Sequence, residues 1–389
     1  MFASLKEQPA DKILALMQEF KQDPRPNKID LGVGVYKNSE GVTPIMGSVK
    51  AAEKILCDIQ ETKVYVGLAG DPAFSEAMVN LVLGNVISMD KISAVATPGG
   101  TGAVRQAFEL IRLANRNARI FVSDPTWPNH LSILEYLKIP FVNYRYFNKS
   151  TGDINFSGML EDLTQMKLGD VVLLHGCCHN PSGANLNHTQ WRKVVDLISQ
   201  TGATPMVDIA YQGFGDGLEE DAEATRMLVS SLPEVIIAAS CSKNFGIYRE
   251  RTGILITTSQ DKCTKVISQG NMAFLNRQNF SFPPDHGARV VTMILNNSKL
   301  RVDWEKELND IRLTMLDLRR CLADELKDVS GSDRFEFLAR HRGMFSRLGG
   351  SETKVKEIHA LAIKAVDFEI SDKILGISDH NLKSLLTQI

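Results

Sequence analysis

Ser240-Cys241-Ser242-Lys243-Asn244-Phe245-Gly246-Ile247-Tyr248-Arg249-Glu250-Arg251 follows directly on the apolar run Val235-Ile236-Ile237-Ala238-Ala239. An unbroken apolar run of that length predicts a buried strand of a parallel sheet. The hydroxyls, the lysine and the arginine then emerge at its carboxyl edge, where α/β sheets place ligands. Most lysines are solvated surface charges, and spacing alone does not exempt this one. A lysine held in a partly dry cleft beside a cation, however, has a lowered pKa and becomes an amine able to form a Schiff base. Ser240 and Ser242, with Arg251 eight residues past Lys243, are suitable donors for a phosphate. A lysine beside a phosphate cradle suggests pyridoxal phosphate.

Composition bounds the rest. At 389 residues the chain is too long for one ordinary core, which predicts a large domain and a smaller one. A formal net charge of −2, with acids and bases interleaved, gives no case for nucleic acid or an anionic membrane surface and favours small-molecule chemistry. Cys57, Cys177, Cys178, Cys241, Cys263 and Cys321 are scattered and form no CxxC pair, so neither a disulfide framework nor a metal site is expected. The start lacks the basic-then-apolar pattern of a signal peptide, and no apolar run approaches membrane-spanning length, so a cytoplasmic protein is expected.

Upstream of the lysine, strand and helix alternate. A helical stripe over Asp11 to Phe20 ends at Pro24 and Pro26, and Leu31-Gly32-Val33-Gly34-Val35-Tyr36 alternates apolar residues with glycine, which permits close approach of a ligand or another backbone. Ser48 to Ile59 and Pro72 to Val86 read as amphipathic helices. Ile92 to Thr97 reads as a strand opening through Pro98-Gly99-Gly100-Thr101-Gly102 into a helix through Ala114, so the turn's N–H groups are a ready anion site. Strands follow at Ile120 to Ser123, Pro140 to Tyr146, Val171 to His175 and Thr204 to Val207. They lead into Trp127-Pro128-Asn129-His130, His179-Asn180-Pro181-Ser182-Gly183 and Asp208-Ile209-Ala210-Tyr211. An acid and a tyrosine just past a strand can meet a ring nitrogen and a phenolic oxygen, although strand-end acids are often only helix caps. Farther on, Leu300 to Asp328 is a long helix with Trp304, Leu308, Ile311, Met315, Leu318 and Leu322 at core spacing, Phe335 to Leu338 and Gly343 to Ser346 read as strands, and Thr353 to Lys364 as a helix.

Taken as five consecutive strand ends of one sheet, these turns carry a glycine cradle, a tryptophan, an asparagine, an aspartate and a lysine with serines and an arginine. This set resembles the fold type I pyridoxal phosphate enzymes, and closely the class I aspartate and aromatic aminotransferases, over nearly the whole chain. The resemblance implies an α/β fold in which a large domain with a mixed, mostly parallel sheet binds the cofactor. The expected division is 1–43 as arm and part of the small domain, 44–299 as the large domain and 300–389 as the small one. It further implies that Lys243 forms the Schiff base and then acts as general base, that Asp208 keeps the pyridine nitrogen protonated, and that His130 and His175 stand behind Asp208. Tyr211 and Asn180 would meet the phenolic oxygen, Trp127 would stack on the ring, and Gly100, Thr101, Ser240, Ser242 and Arg251 would hold the phosphate. The family is homodimeric with shared sites, so Tyr65 and Arg277 would come from the partner, Arg277 to pair with a distal carboxylate. Gly34, Trp127 and Asn180 would line the substrate. Val35, Lys37, Thr43 and Thr101 lean mildly to aspartate, whereas Val64 and Phe282 depart from aspartate-specific members.

One departure stands out. The family carries a C-terminal Ser-Gly-Arg arginine that grips the substrate α-carboxylate, and here no arginine follows Arg347. Ser371 or, with a two-residue deletion, Lys373 takes its position, and Arg340, Arg342 and Arg347 are other candidate cations. The expected function is transamination between aspartate, or an aromatic amino acid, and 2-oxoglutarate by ping-pong chemistry. The alternatives are a pyridoxal phosphate enzyme of another reaction type and a weakly active cofactor-binding protein.

Overall fold

The computed structural model describes residues 1–7, 18, 20–24, 34–38 and 40–347. Calls on the helical stripe at 11–17, on Gly32, on Ser371 and Lys373, and on the helix from Thr353 fall outside these residues.

Seven strands form the central sheet: β1 (Ile92–Pro98), β2 (Ile120–Asp124), β3 (Phe141–Arg145), β6 (Val171–His175), β7 (Thr204–Ile209), β8 (Val235–Ser240) and β9 (Thr252–Thr258). Their order is β1-β9-β8-β7-β6-β2-β3, and two short strands, β4 (Phe147–Asn148) and β5 (Asp153–Ile154), pair separately. All neighbours from β8 to β3 run parallel, while β9 is antiparallel to both β1 and β8. The inner strands are largely apolar because both faces are covered, and alternate residues feed opposite cores. Val95, Ile120, Val122, Leu173, Met206, Ala238 and Leu255 meet Phe108, Leu134 and Met272 on one face. Phe121, Val172, Leu174, Val207, Ile237 and Ile256 meet Phe74, Val194, Leu228 and Trp304 on the other.

Helices α1 (Gly47–Ile59), α2 (Pro72–Leu83), α3 (Gly99–Ala114), α4 (Pro128–Leu137), α5 (Phe156–Leu163), α6 (His188–Thr201), α7 (Glu220–Ser231), α8 (Lys262–Asn279), α9 (His286–Asn296), α10 (Ser298–Ser330) and the single turn α11 (Phe337–Arg340) surround the sheet. Their starts follow local chemistry. Asp71 caps Ala73 N ahead of Pro72 in α2, and Asn187 with Gln190 forms a reciprocal capping box at α6. None of the described helices is long and apolar enough to cross a membrane.

Four expectations are corrected. The carboxyl ends are not five neighbours in sequence order, because β1 lies at the sheet edge and β9, unrecognised in the sequence, separates it from β8. Phe335 to Leu338 is not a strand but a 3₁₀ turn (Asp333–Phe335) running into α11. The alternating Phe335 and Phe337 imitate a strand's period, yet both, with Leu338, pack on Ala323 and Leu326 of α10, which a helical turn allows and an alternating strand does not. Gly343 to Ser346 has no ladder partner, its carbonyls being taken by Arg319 instead. Along α10, Trp304 and Leu308 are buried as expected, but Leu318 is 45% exposed and belongs to no core.

Candidate active site

Strand β7 runs two residues further than its apolar run suggests, so Asp208 stands within the ladder opposite His175 and Ala238 and is buried. A buried carboxylate is costly unless paired. Burial would raise its pKa, but the hydrogen bond from His130 and the charges around it prevail and hold Asp208 below the usual carboxylate value. Nε2 of His130 lies 3.0 Å from Asp208 Oδ2, and Nδ1 lies 2.9 Å from Thr126 Oγ1, which in turn is 3.2 Å from His175 Nε2. His179 extends this group: its ring is 4.2 Å from that of His175, stacks on Tyr146 at 4.0 Å and contacts Ser123 and Ser182. Burial lowers the pKa of His175 to about 3 and pushes His179 well below its ordinary range, so both are neutral. The result is an ionised acid held through His130 and Thr126, with neutral His175 and His179 beyond them. Sequence reading named His130 and His175; it missed His179, although that residue lies inside the same quoted motif, and Thr126, Ser123 and Tyr146.

Lys243 leaves the end of β8 and brings its Nζ to 4.8 Å from the centre of the Tyr211 ring. Burial lowers its pKa, Asp208 opposes that shift and Arg251 adds to it, so the amine loses its proton more readily than a surface lysine. The Tyr211 phenol is pushed far up by burial and nearby Asp208, partly offset by a hydrogen bond with Asn180, and is therefore a protonated donor. Trp304 anchors the lysine loop from α10, its Nε1 donating to Asn244 O at 2.7 Å and its ring stacking on Phe245 at 4.5 Å. The Trp127 ring meets His130 edge-on at 5.1 Å.

The phosphate end is built by the reversal of β9. Because β9 runs against β1 and β8, its amino end lies at the same edge as their carboxyl ends, with Pro98 opposite Thr252 and Ser240 opposite Gly253. Arg251 therefore arrives beside the Gly99-Gly100-Thr101 opening of α3. The packing admits no side chain there: a Cβ on Gly99, whose φ is +69°, would stand 2.6 Å from Arg251 Nη2, and one on Gly100 would stand 2.9 Å from Ser240 Cβ. Ser240 Oγ accepts from Ser242 N at 3.2 Å. Helix-start N–H groups, two hydroxyls and a guanidinium suit a phosphate. Together with the anionic Asp208 and the readily deprotonated lysine, the donor set fits pyridoxal phosphate.

Gly34 faces Phe345, since a Cβ there would lie 2.8 Å from its ring, and Phe345 meets Tyr211 edge-on at 6.4 Å. Two other residues read from the sequence stand elsewhere. Tyr65, 80% exposed, stacks on Phe282 at 4.9 Å; Arg277 lies 5.8 Å over the same ring and donates to Ser281 at 2.5 Å. This surface cluster shows no contact with Lys243 or Asp208 among the described residues. Of the substitute cations, Arg340 pairs with Asp153 at 3.2 Å and Arg342 with Asp216 at 2.7 Å, so both are occupied outside the cleft.

Comparison with known proteins agrees with this chemistry. The chain is 57% identical to the aromatic-amino-acid aminotransferase of Paracoccus denitrificans over 391 aligned residues, covering 100% of this chain and 99% of the relative. It is 39% identical to the aspartate aminotransferase of Escherichia coli (strain K12), covering 91% of this chain and 90% of that one. A solved aromatic amino acid aminotransferase with 3-indolebutyric acid superposes with a TM-score of 0.92 at 53% identity, over 100% of this chain and 98% of the other. The aromatic-amino-acid aminotransferase of Burkholderia pseudomallei, covalently bound to pyridoxal phosphate, superposes with a TM-score of 0.93 at 32% identity, over 99% of each chain. The model for aminotransferase class I and II matches residues 26–372. A lysine, an anionic acid and a phosphate cradle at one sheet edge are thus explained together: the chain belongs to the class I and II aminotransferases, fold type I enzymes that work with pyridoxal phosphate.

Proposed function

We propose that this aminotransferase exchanges the amino group of aromatic amino acids and of aspartate with 2-oxoglutarate, in a homodimer whose sites are completed by Tyr65 and Arg277 of the opposite subunit. The observation that carries the reading is the surface cluster, where Arg277 lies over the Phe282 ring and Tyr65 stacks on the same ring. It offers a cation and an apolar face at one place, suited to a distal carboxylate and to an aromatic side chain. Large apolar residues that remain this exposed, Val64 at 75% and Tyr65 at 80%, are characteristic of a surface awaiting a partner.

The cofactor, when bound, supplies an electron-withdrawing ring that makes the amino acid's Cα–H acidic. Asp208 holds a proton at the ring nitrogen, and His130 keeps Asp208 ionised and oriented. Lys243 would hold the cofactor, and its amine would carry the Cα proton, a task its lowered pKa suits. Protonated Tyr211 and Asn180 would donate at the phenolic oxygen, Gly100, Thr101, Ser240, Ser242 and Arg251 would bind the phosphate, and Trp127 would cover the ring. Gly34, Trp127 and Asn180 line the substrate. The proposed division is 1–43, 44–299 and 300–389, with α10 bridging the parts: Leu300, Trp304 and Leu308 pack in the main core, while Ala323 and Leu326 join the separate cluster with Phe335 and Phe337.

The test is to supply phenylalanine, tyrosine and aspartate separately with 2-oxoglutarate and to follow glutamate. Glutamate from both classes of donor is expected. Formation from aspartate alone would remove the aromatic half of the proposal, and none from any donor would remove all of it.

A further inference from the structure

Arg319 sits in the middle of α10 and spends its guanidinium on a segment without regular structure. Nη2 donates to Gly343 O at 2.5 Å and to Phe345 O at 2.7 Å, Nε to Gly343 O at 3.1 Å, and Nη1 to Ser346 Oγ at 2.5 Å. Among the described residues no carboxylate sets its charge state. Burial lowers its pKa to about 10, with Cys178 opposing and Arg342 adding to the shift, so it remains a cation near neutral pH, solvated by carbonyl dipoles.

What it holds is pressed into the cleft. Gly343, at φ +78°, stands where a Cβ would lie 2.5 Å from that of Cys178, two residues before Asn180. Arg342 N donates to Gly183 O at 2.9 Å, and a Cβ on Gly183 would lie 2.3 Å from Phe345 O. The Phe345 ring fills the space in front of Gly34 and meets Tyr211 edge-on. We infer that Arg319 is a positioning residue: by tying the carbonyls of Gly343 and Phe345 and the hydroxyl of Ser346 to one rigid fork, it fixes the Phe345 ring as the wall between Gly34 and Tyr211 against which the amino acid is held. The inference rests on the proposed placement of substrate between Gly34, Asn180 and Lys243. Arginine is required because a planar fork serves three separately placed acceptors, whereas a lysine ammonium is a single point charge on a flexible stem.

The test uses holoenzyme of Arg319→Met, Arg319→Lys, Phe345→Ala and the Arg319→Met/Phe345→Ala pair. KM and kcat are measured for each accepted amino donor with 2-oxoglutarate, beside cofactor absorbance and thermal unfolding. Arg319→Met should raise KM for the amino donor about tenfold with kcat changed less than about threefold and cofactor absorbance retained. Phe345→Ala should do the same, and the pair should be no worse than the stronger single change, because both act through one ring. Arg319→Lys should recover only a minor part of the loss. A KM within twofold of wild type in Arg319→Met, or effects that multiply in the pair, would overturn the inference. Should Arg319→Met fail to fold, Phe345→Ala and Arg319→Lys decide it, an unchanged KM in both being fatal. Wild-type protein that transfers no amino group from any donor would instead overturn the substrate reading and this inference with it.

Discussion

The acid and lysine beneath the proposed ring and the aromatic cluster around Arg277 are the two chemically richest places on this chain, and they are built in opposite ways. Asp208, His130, Thr126 and His175 are joined by hydrogen bonds within 3.2 Å inside the sheet edge, so each side chain is fixed by its neighbour. Tyr65, Phe282 and Arg277 rest on one another at the surface, with no enclosing shell among the described residues. The first arrangement can hold a charge that water would otherwise compete for, and the second can only be finished by something placed against it. On the proposed reading, chemistry would belong to the single chain and selectivity for the side chain of the substrate to the assembly.

The sharpest way to break this division is Lys243→Ala. It should reduce turnover by about 10⁴-fold, the upper end of what a positioned general base provides, while leaving the fold intact. Single-turnover mixing with an amino acid is the measurement, and residual turnover above one hundredth of wild type would displace Lys243 from its role. Asp208→Asn keeps the shape and removes the charge. A loss of about 3 kcal/mol, or roughly two orders of magnitude in kcat, with KM little changed, is expected; an unaltered kcat would mean that the anion is not needed.

Arg277→Ala should raise KM for aspartate by about 2 kcal/mol, some thirtyfold, and affect phenylalanine far less. Mixing Arg277→Ala with Lys243→Ala subunits sharpens the point. If Arg277 serves the other subunit's lysine, hybrids contain one intact site and aspartate activity returns, whereas mixtures no better than the parents would assign both residues to one chain.

The last effect bears on stability rather than turnover, as a pH dependence. His175 titrates near 6.5 when unfolded but is held to about 3 in the fold. The unfolded chain thus binds a proton that the native one refuses, and stability, complete above about pH 6.5, falls on acidification toward pH 3 by up to about 1.4 kcal/mol per unit for this histidine. His179, also depressed, adds to it. Denaturant unfolding of His175→Gln across pH 5 to 7 should show a shallower slope than wild type; an identical slope would mean that His175 is not held neutral.

Legibility in the sequence followed the range of the interactions. Val171 to His175 and Val235 to Ala239 were readable as strands because an apolar run needs no distant information, Lys243 and Asp208 because they lie just past such runs, and Arg251 because it follows the lysine by eight residues. Strand β9 follows a motif rich in charge and was overlooked, which hid how β1 and β8 come to share a cradle. Phe335 and Phe337 misled because two aromatics at spacing two fit a strand and a helical turn equally until Ala323 and Leu326 are in view. Arg319 gave no signal at all. Beside Arg320 in a long polar helix it looks like surface charge, and its meaning lies in carbonyls 24 and 26 residues away.

The register of β9 also limits how the chain can vary in length. Ser240 opposite Gly253 and Pro98 opposite Thr252 pin both ends of the segment from Cys241 to Arg251. Loops with free ends absorb an added residue at the surface. Here β9 cannot slide to make room, because a one-residue slip would turn Ile254 and Ile256 out of one core and Leu255 out of the other. An insertion would instead alter the spacing between Lys243 and Arg251, so on the proposed assignment this short contour would be the ruler that matches the chain to the length of its cofactor.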